Sequence, residues 1–321
     1  MDIKNKTILV TGATGFVGSH LVSALVDRGA HVIATMQAKT TNSYFFQMGL
    51  EKKVVLESVD VQNFSLLFRI ITKHNVDIIF HLAAQPLVGV AYANPLDTIQ
   101  TNVNGTLNIL EAARLFPHVR CVVVASSDKA YGKLDRPYKE SDPLRGDHPY
   151  EVSKSAADLL CRAYYQTYHV PVVVSRFGNI YGEGDLNFSR IIPGIAKALA
   201  LKETLILRSN GRYVRDYLYV GDVVAGYIHL AEKLEHIQGE AFNFGSRDTY
   251  SVLQLIKVVE KELHTKIRYV IQDAAQNEIP YQTLSYARAR KVLGWKPRYT
   301  LTQTVPQIMT WYEKLLEPAK K

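Results

Sequence analysis

Between residues 6 and 36 the chain reads KTILVTGATGFVGSHLVSALVDRGAHVIATM, and no other stretch limits the possible folds as much. Ile8, Leu9 and Val10 form a short apolar run that suits a strand covered on both faces. Glycines follow at 12, 15 and 18. Val17, Leu21, Ala24 and Leu25 then recur at helical spacing, and Gly29 stands where that helix should stop. HVIATM reads as a second strand. A strand, a glycine-rich turn, a helix and another strand make a parallel βαβ unit, because a helical connection crosses over the sheet instead of turning back as a hairpin.

The alternation continues. KVVLESVD reads as a third strand, FSLLFRIITKH as an amphipathic helix and VDIIFHLAA as a fourth strand. TIQTNVNGTLNILEAARLF reads as a long helix, RCVVVASS as a fifth strand, PYEVSKSAADLLCRAYYQTY as a second long helix and PVVVSRFGNIYG as a sixth strand. This predicts the α/β class: a Rossmann-type doubly wound parallel sheet with helices on both faces. After about residue 180 the pattern loosens, with Pro280 and Pro297 as breakers, and a smaller mixed α/β C-terminal lobe is expected. The expected division is a dinucleotide-binding domain over 1–180, with a returning segment near 213–245, and a substrate-binding lobe over most of 181–321. No Gly/Ser-rich linker separates them, so the lobes should pack together.

The glycines at 12, 15 and 18 follow the spacing GxxGxxG. Small residues there let backbone N–H groups approach a pyrophosphate, and a helix N-terminus favours its charge. Gly12, Thr14, Gly15, Phe16, Val17 and Gly18 are therefore expected to hold a dinucleotide. The acid that commonly ends the second strand and binds the adenosine ribose is missing: Thr35 and Met36 stand there, followed by Gln37 and Lys39. That set admits NADP and leaves NAD open. Asp60 in SVDVQN, with Val61 beside it, either ends a strand at a turn or hydrogen-bonds the adenine amine of the dinucleotide.

The net charge of +8 suits an anionic partner. The positive residues are dispersed, and the terminal PAKK adds only Lys320 and Lys321, so a small anionic substrate is expected and a nucleic acid is not. No apolar run reaches the roughly 18 residues of a membrane span, and the N-terminus lacks the pattern of a secretory leader. Cys121 and Cys161 suit a reducing compartment and buried positions. A cytoplasmic location is expected.

A polar feature lies where the fifth strand ends. VVVASSDKAYG passes from a buried run into Ser126, Ser127, Asp128 and Lys129. Open parallel sheets bind ligands at that carboxyl edge. Tyr150 and Lys154 form YxxxK at the start of a long helix, four residues apart and so on one face. A free tyrosine ionises near pH ~10, so it needs a neighbouring cation to act as a base.

With these pieces in place, the chain resembles the extended short-chain dehydrogenases/reductases, the nucleotide-sugar epimerases and dehydratases. The resemblance runs almost end to end, through TGATGFVG, DVQN, HLAAQ, TNVNGTLNILEAA, SSDKAYG, PYEVSK, RFGNIYG, RYVRDYLYVGDV and LGWKP. Ser127-Asp128-Lys129 is most similar to the Ser/Thr-Asp-Lys type of 4,6-dehydratase, such as the CDP-glucose dehydratases. The resemblance implies NAD or NADP, tightly bound and regenerated each turnover. It implies a nucleotide-diphosphate sugar as substrate, converted to a 4-keto-6-deoxy sugar with loss of water. Tyr150 would take the proton of the 4-hydroxyl, while Lys154 tunes it and holds the nicotinamide ribose. Ser127 would bond the 4-oxygen, Lys129 would remove the C5 proton, and Asp128 would help expel the 6-hydroxyl. A free lysine ionises near ~10.4, so Lys129 needs surroundings that keep it neutral. A 4-epimerase or a 5,6-dehydratase is the alternative, and a non-catalytic cofactor-bound interaction protein a remote third.

The same resemblance implies cofactor contacts from Leu82, Ala83, Ala84, Gln85 and Asn102. It implies substrate contacts from Asn179, Arg190, Arg212, Arg215 and Glu278, arginine suiting a diphosphate through its planar fork of donors. Arg288 lies in LSYARARKVLGW, a stretch that in the family opens with an acid where Ser285 stands here. His81 is expected to close a strand and His148 to neighbour the active site. The helices near 97–115 and 150–168 resemble a pair that forms a four-helix contact in homodimers. No cluster has metal-ligand spacing, so no metal is expected.

Overall fold

The computed structural model describes residues 2–38, 42–274 and 279–317. The first lobe opens with β1 (Thr7–Thr11), α1 (Phe16–Asp27), β2 (His31–Met36), the one-turn α2 (Tyr44–Gln47), β3 (Val55–Ser58), α3 (Phe64–Lys73) and β4 (Ile78–His81). It continues through α4 (Val88–Ala93), α5 (Pro95–Ile99), α6 (Gly105–Leu115), β5 (Cys121–Ala125), α7 (Pro149–Tyr168) and β6 (Val172–Phe177). Next come β7 (Asn179–Tyr181), α8 (Ile191–Ala200), β8 (Leu205–Leu207), β9 (Val214–Tyr219), α9 (Val220–Lys233) and β10 (Ala241–Phe244). The chain closes with β11 (Thr249–Ser251), α10 (Val252–Glu262), β12 (Tyr269–Ile271), β13 (Tyr281–Gln282) and α11 (Leu301–Leu316).

Seven strands form one sheet in the order β10-β6-β5-β4-β1-β2-β3. Every pairing in it is parallel. The chain winds outward in both directions from the β1/β4 boundary, which opens a crevice at the carboxyl ends there. Both faces are buried. Ile8 and Val10 pack with Leu21, Leu25, Phe80 and Leu230, whereas Leu9 faces the opposite core of Ile33, Leu67, Ile79 and Ile109. Two-sided burial explains why these strands are runs of apolar residues without polar alternation.

Two expectations change in detail. The helix expected over 98–116 is α5 and α6 joined by a π-helical stretch, Gln100–Asn104. The sixth strand, read as continuous over 171–182, breaks at Gly178: β6 belongs to the large sheet, whereas β7 pairs with β9 in a second one. The chain then returns. Tyr227, Ile228 and Leu230 of α9 join the first core, and β10 pairs with β6.

The second lobe has its own core of Ile195, Leu205, Leu255, Val305, Ile308 and Tyr312. Its sheet runs β11-β9-β13, with β7 also paired to β9. The stretch LGWKP ties it to α9: Trp295 Nε1 donates to the Asp222 carbonyl at 3.0 Å, and the Asp222 carboxylate accepts from the backbone of Arg298 (3.0 Å) and Tyr299 (3.1 Å). Among the described residues no helix is long and apolar enough to cross a membrane.

Candidate active site

The turn after β1 is built for close approach. Gly12 has φ +67°, and a Cβ there would lie 2.8 Å from the Ala83 backbone nitrogen. A Cβ on Gly18 would lie 2.1 Å from the Gly12 carbonyl oxygen. These two glycines let the turn fold against the end of β4. Gly15 differs: it is exposed, and it caps α1 with no side-chain hydrogen bond. The first-turn N–H groups of α1 thus have no side-chain cap, an arrangement that suits a pyrophosphate. Thr14, Phe16 and Val17 lie half-buried beside them. The residues present therefore fit a dinucleotide.

Around the crevice, Asp60 accepts from Gln37 Nε2 and from the Gln62 backbone, both at 2.9 Å, so Gln37 ties the end of β2 to this acid. Lys39 lies outside the described residues. Val61 is buried and packs under Gly105 of α6. Leu82, Ala83, Ala84 and Gln85 leave β4 half-buried at the sheet edge. Asn102, in the π-helical stretch, braces them: its amide donates to the Gln85 carbonyl (3.1 Å) and to Ser153 Oγ (2.9 Å), and accepts from the Gln85 N–H (2.8 Å). His81 ends β4 between Thr11 Oγ1 (2.8 Å) and Thr106 Oγ1 (3.2 Å), and burial holds it neutral, with a pKa of about 3.

The charged pair sits where β5 meets the second lobe. Ser127 caps a 3₁₀ turn, Asp128–Tyr131; its Oγ accepts from the Lys129 backbone at 3.2 Å and donates to Asp128 Oδ1 at 3.0 Å. The turn is pinned from behind. Tyr131 Oη donates to Asn243 Oδ1 (2.7 Å) and accepts from Arg176 (2.6 Å), which grips Asp158 with two more bonds of 2.7 and 2.8 Å. Pro149 starts α7, and its first turn brings Tyr150 beside Ser127, which favours the ionised phenol. Lys154 follows on the same face and donates to the Ala125 carbonyl at 2.9 Å.

Burial governs this cluster. It raises the Tyr150 phenol to about 12, lowers Lys154 to about 8, and raises the Asp128 carboxyl above its usual range. Asp128 is thereby biased toward the protonated form that a general acid needs. Lys129 is half-buried, and its Nζ donates to Gln282 Oε1 of β13 at 3.2 Å. Glu151 is buried near Lys129 and pairs with His148 Nε2 at 3.0 Å, while the His148 ring stacks on Tyr92 with centroids 5.2 Å apart.

The second lobe supplies a polar wall. Asn179 is the register partner of Tyr217, and Gln282 that of Arg215, in parallel ladders. Arg215 and Tyr217 are two apart on β9, so all four share a face. Asn179 Nδ2, Tyr217 Oη and Gln282 Nε2 are buried there without a hydrogen-bond partner, the condition of a site that waits for a polar ligand. Arg215 lies close enough to Asp128 to favour its ionised form, though burial outweighs it. Asp216 points the other way and binds the Leu284 N–H (2.8 Å) and Thr249 Oγ1 (2.7 Å).

The remaining sequence candidates are less enclosed. Arg190 is exposed, pairs with Asp185 at 3.1 Å, and its charge reaches Tyr150. Arg212 is exposed before β9. Glu278 lies outside the described residues. Arg288 is engaged by Glu240 and stacks on Phe242. Among the described residues no group of three His, Cys, Asp or Glu side chains is arranged to hold a metal. Sequence reasoning missed Tyr217, Gln282 and Glu151. The alternation in RDYLY places Tyr217 with Arg215 and could have found it; IPYQTLSY carries no such pattern for Gln282.

A doubly wound parallel sheet, a glycine-rich turn at β1 and a Tyr-x-x-x-Lys pair beyond β5 define the class as an extended short-chain dehydrogenase/reductase. A family model described as GDP-mannose 4,6 dehydratase matches residues 9–308, and the chain belongs to that family of nucleotide-sugar dehydratases. CDP-glucose 4,6-dehydratase of Salmonella typhimurium is 32% identical, over 97% of this chain and 91% of that one. The solved dTDP-glucose 4,6-dehydratase of Bacillus anthracis, in complex with NAD, superposes with a TM-score of 0.86 at 27% identity, covering 97% of this chain and 98% of that one. UDP-glucose 4-epimerase of Thermotoga maritima, solved with UDP-glucose, gives 0.90 at 26% identity, covering 97% and 100%.

Proposed function

We propose that this protein is a nucleotide-sugar 4,6-dehydratase, converting an NDP-hexose to an NDP-4-keto-6-deoxyhexose and water. The observation that carries this reading is the buried Asp128, hydrogen-bonded to Ser127 and adjoining Lys129, with Tyr150 close to both Ser127 and Asp128. An epimerase needs no second acid and base there.

NAD or NADP fits the glycine turn and the crevice, with NAD favoured because the dehydratase of B. anthracis holds it. When bound, it supplies the hydride acceptor at C4, the donor at C6 and a positive charge that helps Tyr150 ionise. Gly12 to Gly18 receive the pyrophosphate, Asp60 and Val61 the adenine, and residues 82–85 with Lys154 the nicotinamide riboside. Tyr150 takes the 4-hydroxyl proton while Ser127 holds that oxygen. Lys129, as the free amine, takes the C5 proton. The C6–O bond breaks, and Asp128 gives its proton to the departing hydroxyl, which leaves as water. Lys129 returns its proton to C5. Ser127 stands between Tyr150 and Asp128, so the proton gained by the phenol restores the carboxyl and the balance closes. Each placed proton transfer contributes roughly 10²–10⁴-fold.

The substrate diphosphate falls to Arg215 and Asn179, with Arg190, Arg212 and Glu278 at the margin. Residues 1–180 form the cofactor domain together with α9 and β10 of the returning segment near 213–245, whose β9 joins the sheet of the substrate lobe; most of 181–321 makes up that lobe. Exposed Leu96, Leu115, Val152, Leu159 and Tyr168 on α5, α6 and α7 mark the face for a four-helix homodimer contact. The buried, free Cys121 and Cys161 suit the cytoplasm.

Hexose deuterated at C4 should yield 4-keto-6-deoxy product with deuterium at C6, read by NMR across CDP-, dTDP-, UDP- and GDP-hexoses, CDP-glucose first. Deuterium back at C4 of an epimer would overturn the reading in favour of the 4-epimerase, the alternative that the T. maritima likeness supports.

A further inference from the structure

We propose that Gln282 is a positioning residue: from the second lobe it aims the Lys129 amine without placing a further charge beside it. This rests on the reading of Lys129 as the C5 base. Gln282 belongs to β13, a strand of two residues held in place by its parallel pairing with β9. Its side chain is 1% exposed, and its Oε1 accepts from Lys129 Nζ at 3.2 Å. An amide oxygen engages one N–H and leaves the nitrogen lone pair to be turned toward the substrate. It also adds no charge. A carboxylate of the same shape in that place would hold the amine as ammonium.

Several charged groups among the described residues lie near Lys129 and Gln282. Asp128 comes from the 3₁₀ turn, and burial biases it toward its uncharged form. Glu151 comes from α7 and is paired with His148. Arg215, on β9 beside Gln282, faces Asp128. A carboxylate in place of Gln282 would add to these and favour the protonated lysine.

The test isolates the C5 step. The NDP-4-keto-6-deoxyhexose product is incubated with the holoenzyme in D₂O, and deuterium wash-in at C5 is followed by NMR across pH; it needs no hydride transfer. Gln282→Met, close in size, should slow exchange about tenfold to hundredfold by loosening the amine. Gln282→Glu should slow it about tenfold near neutral pH and recover as pH rises, its profile displaced upward by about one unit or more. Profiles that overlay the wild type would overturn the proposal. So would a uniform loss in both variants at every pH, which would mark Gln282 as a packing residue. Lys129→Met that still exchanges C5 would overturn the base itself, and the role of Gln282 with it.

Discussion

The two lysines of the site are held in opposite ways. Lys154 is one helical turn from Tyr150, is 7% exposed, and donates to the carbonyl that ends β5. Every group that places it belongs to the first lobe. Lys129 is half-buried on a 3₁₀ turn and reaches a glutamine 153 residues away on the second lobe's sheet. The difference separates the two halves of the proposed reaction. Oxidation at C4 draws on groups that one lobe positions alone. Water loss draws on a base whose aim depends on how the lobes meet.

The strongest way to break that contrast is to remove each lysine in turn. Lys154→Met should depress C4 oxidation roughly 10²–10⁴-fold, so that mixing with substrate gives no rise in reduced-nicotinamide absorbance. Lys129→Met should keep that rise, with the reduced cofactor accumulating, while water loss falls by roughly the same factor. Equal losses in both halves from Lys129→Met would erase the division.

The burial of Lys154 also predicts a pH signature. Its pKa of about 8 in the folded protein lies below the ~10.4 of a free lysine. Between those values the unfolded chain binds more protons than the folded one, so stability rises with pH, by about 3 kcal/mol across the window. Denaturant titrations from pH ~8 upward should show that rise, and Lys154→Met should lack it. A smaller effect belongs to the seam. Trp295→Phe deletes the bond from Nε1 to the Asp222 carbonyl and trims a buried ring, costing roughly 1–3 kcal/mol. Its single-turnover water loss should suffer more than its C4 oxidation; the reverse order would mean that Lys129 does not depend on the lobe contact.

Much of the first lobe was legible because its signals are local. The turn at Gly12 to Gly18, the strand HVIATM and the helix from Pro149 to Tyr168 fall where periodicity and glycine placed them. The polar end of VVVASSDKAYG pointed to the sheet edge, since a strand's carboxyl terminus in a doubly wound fold leads there. The break at Gly178 was not legible. Val172 to Phe177 and Asn179 to Tyr181 share one β-rich composition, and nothing local says that they join different sheets.

By itself, then, the sequence determined the parallel βαβ frame, the cofactor turn, and the identity of Asp128, Lys129, Tyr150 and Lys154 as residues that would meet at one edge. Short-range periodicity encodes the frame, because each element must bury its own apolar face, and the family resemblance implied that the four residues would meet. Only the tertiary structure decided that Asn179, Arg215, Tyr217 and Gln282 share a wall, and that Gln282 accepts from Lys129. Those contacts depend on which distant strands pair and in what register, and a register shift of one residue would turn each of those side chains to the other face.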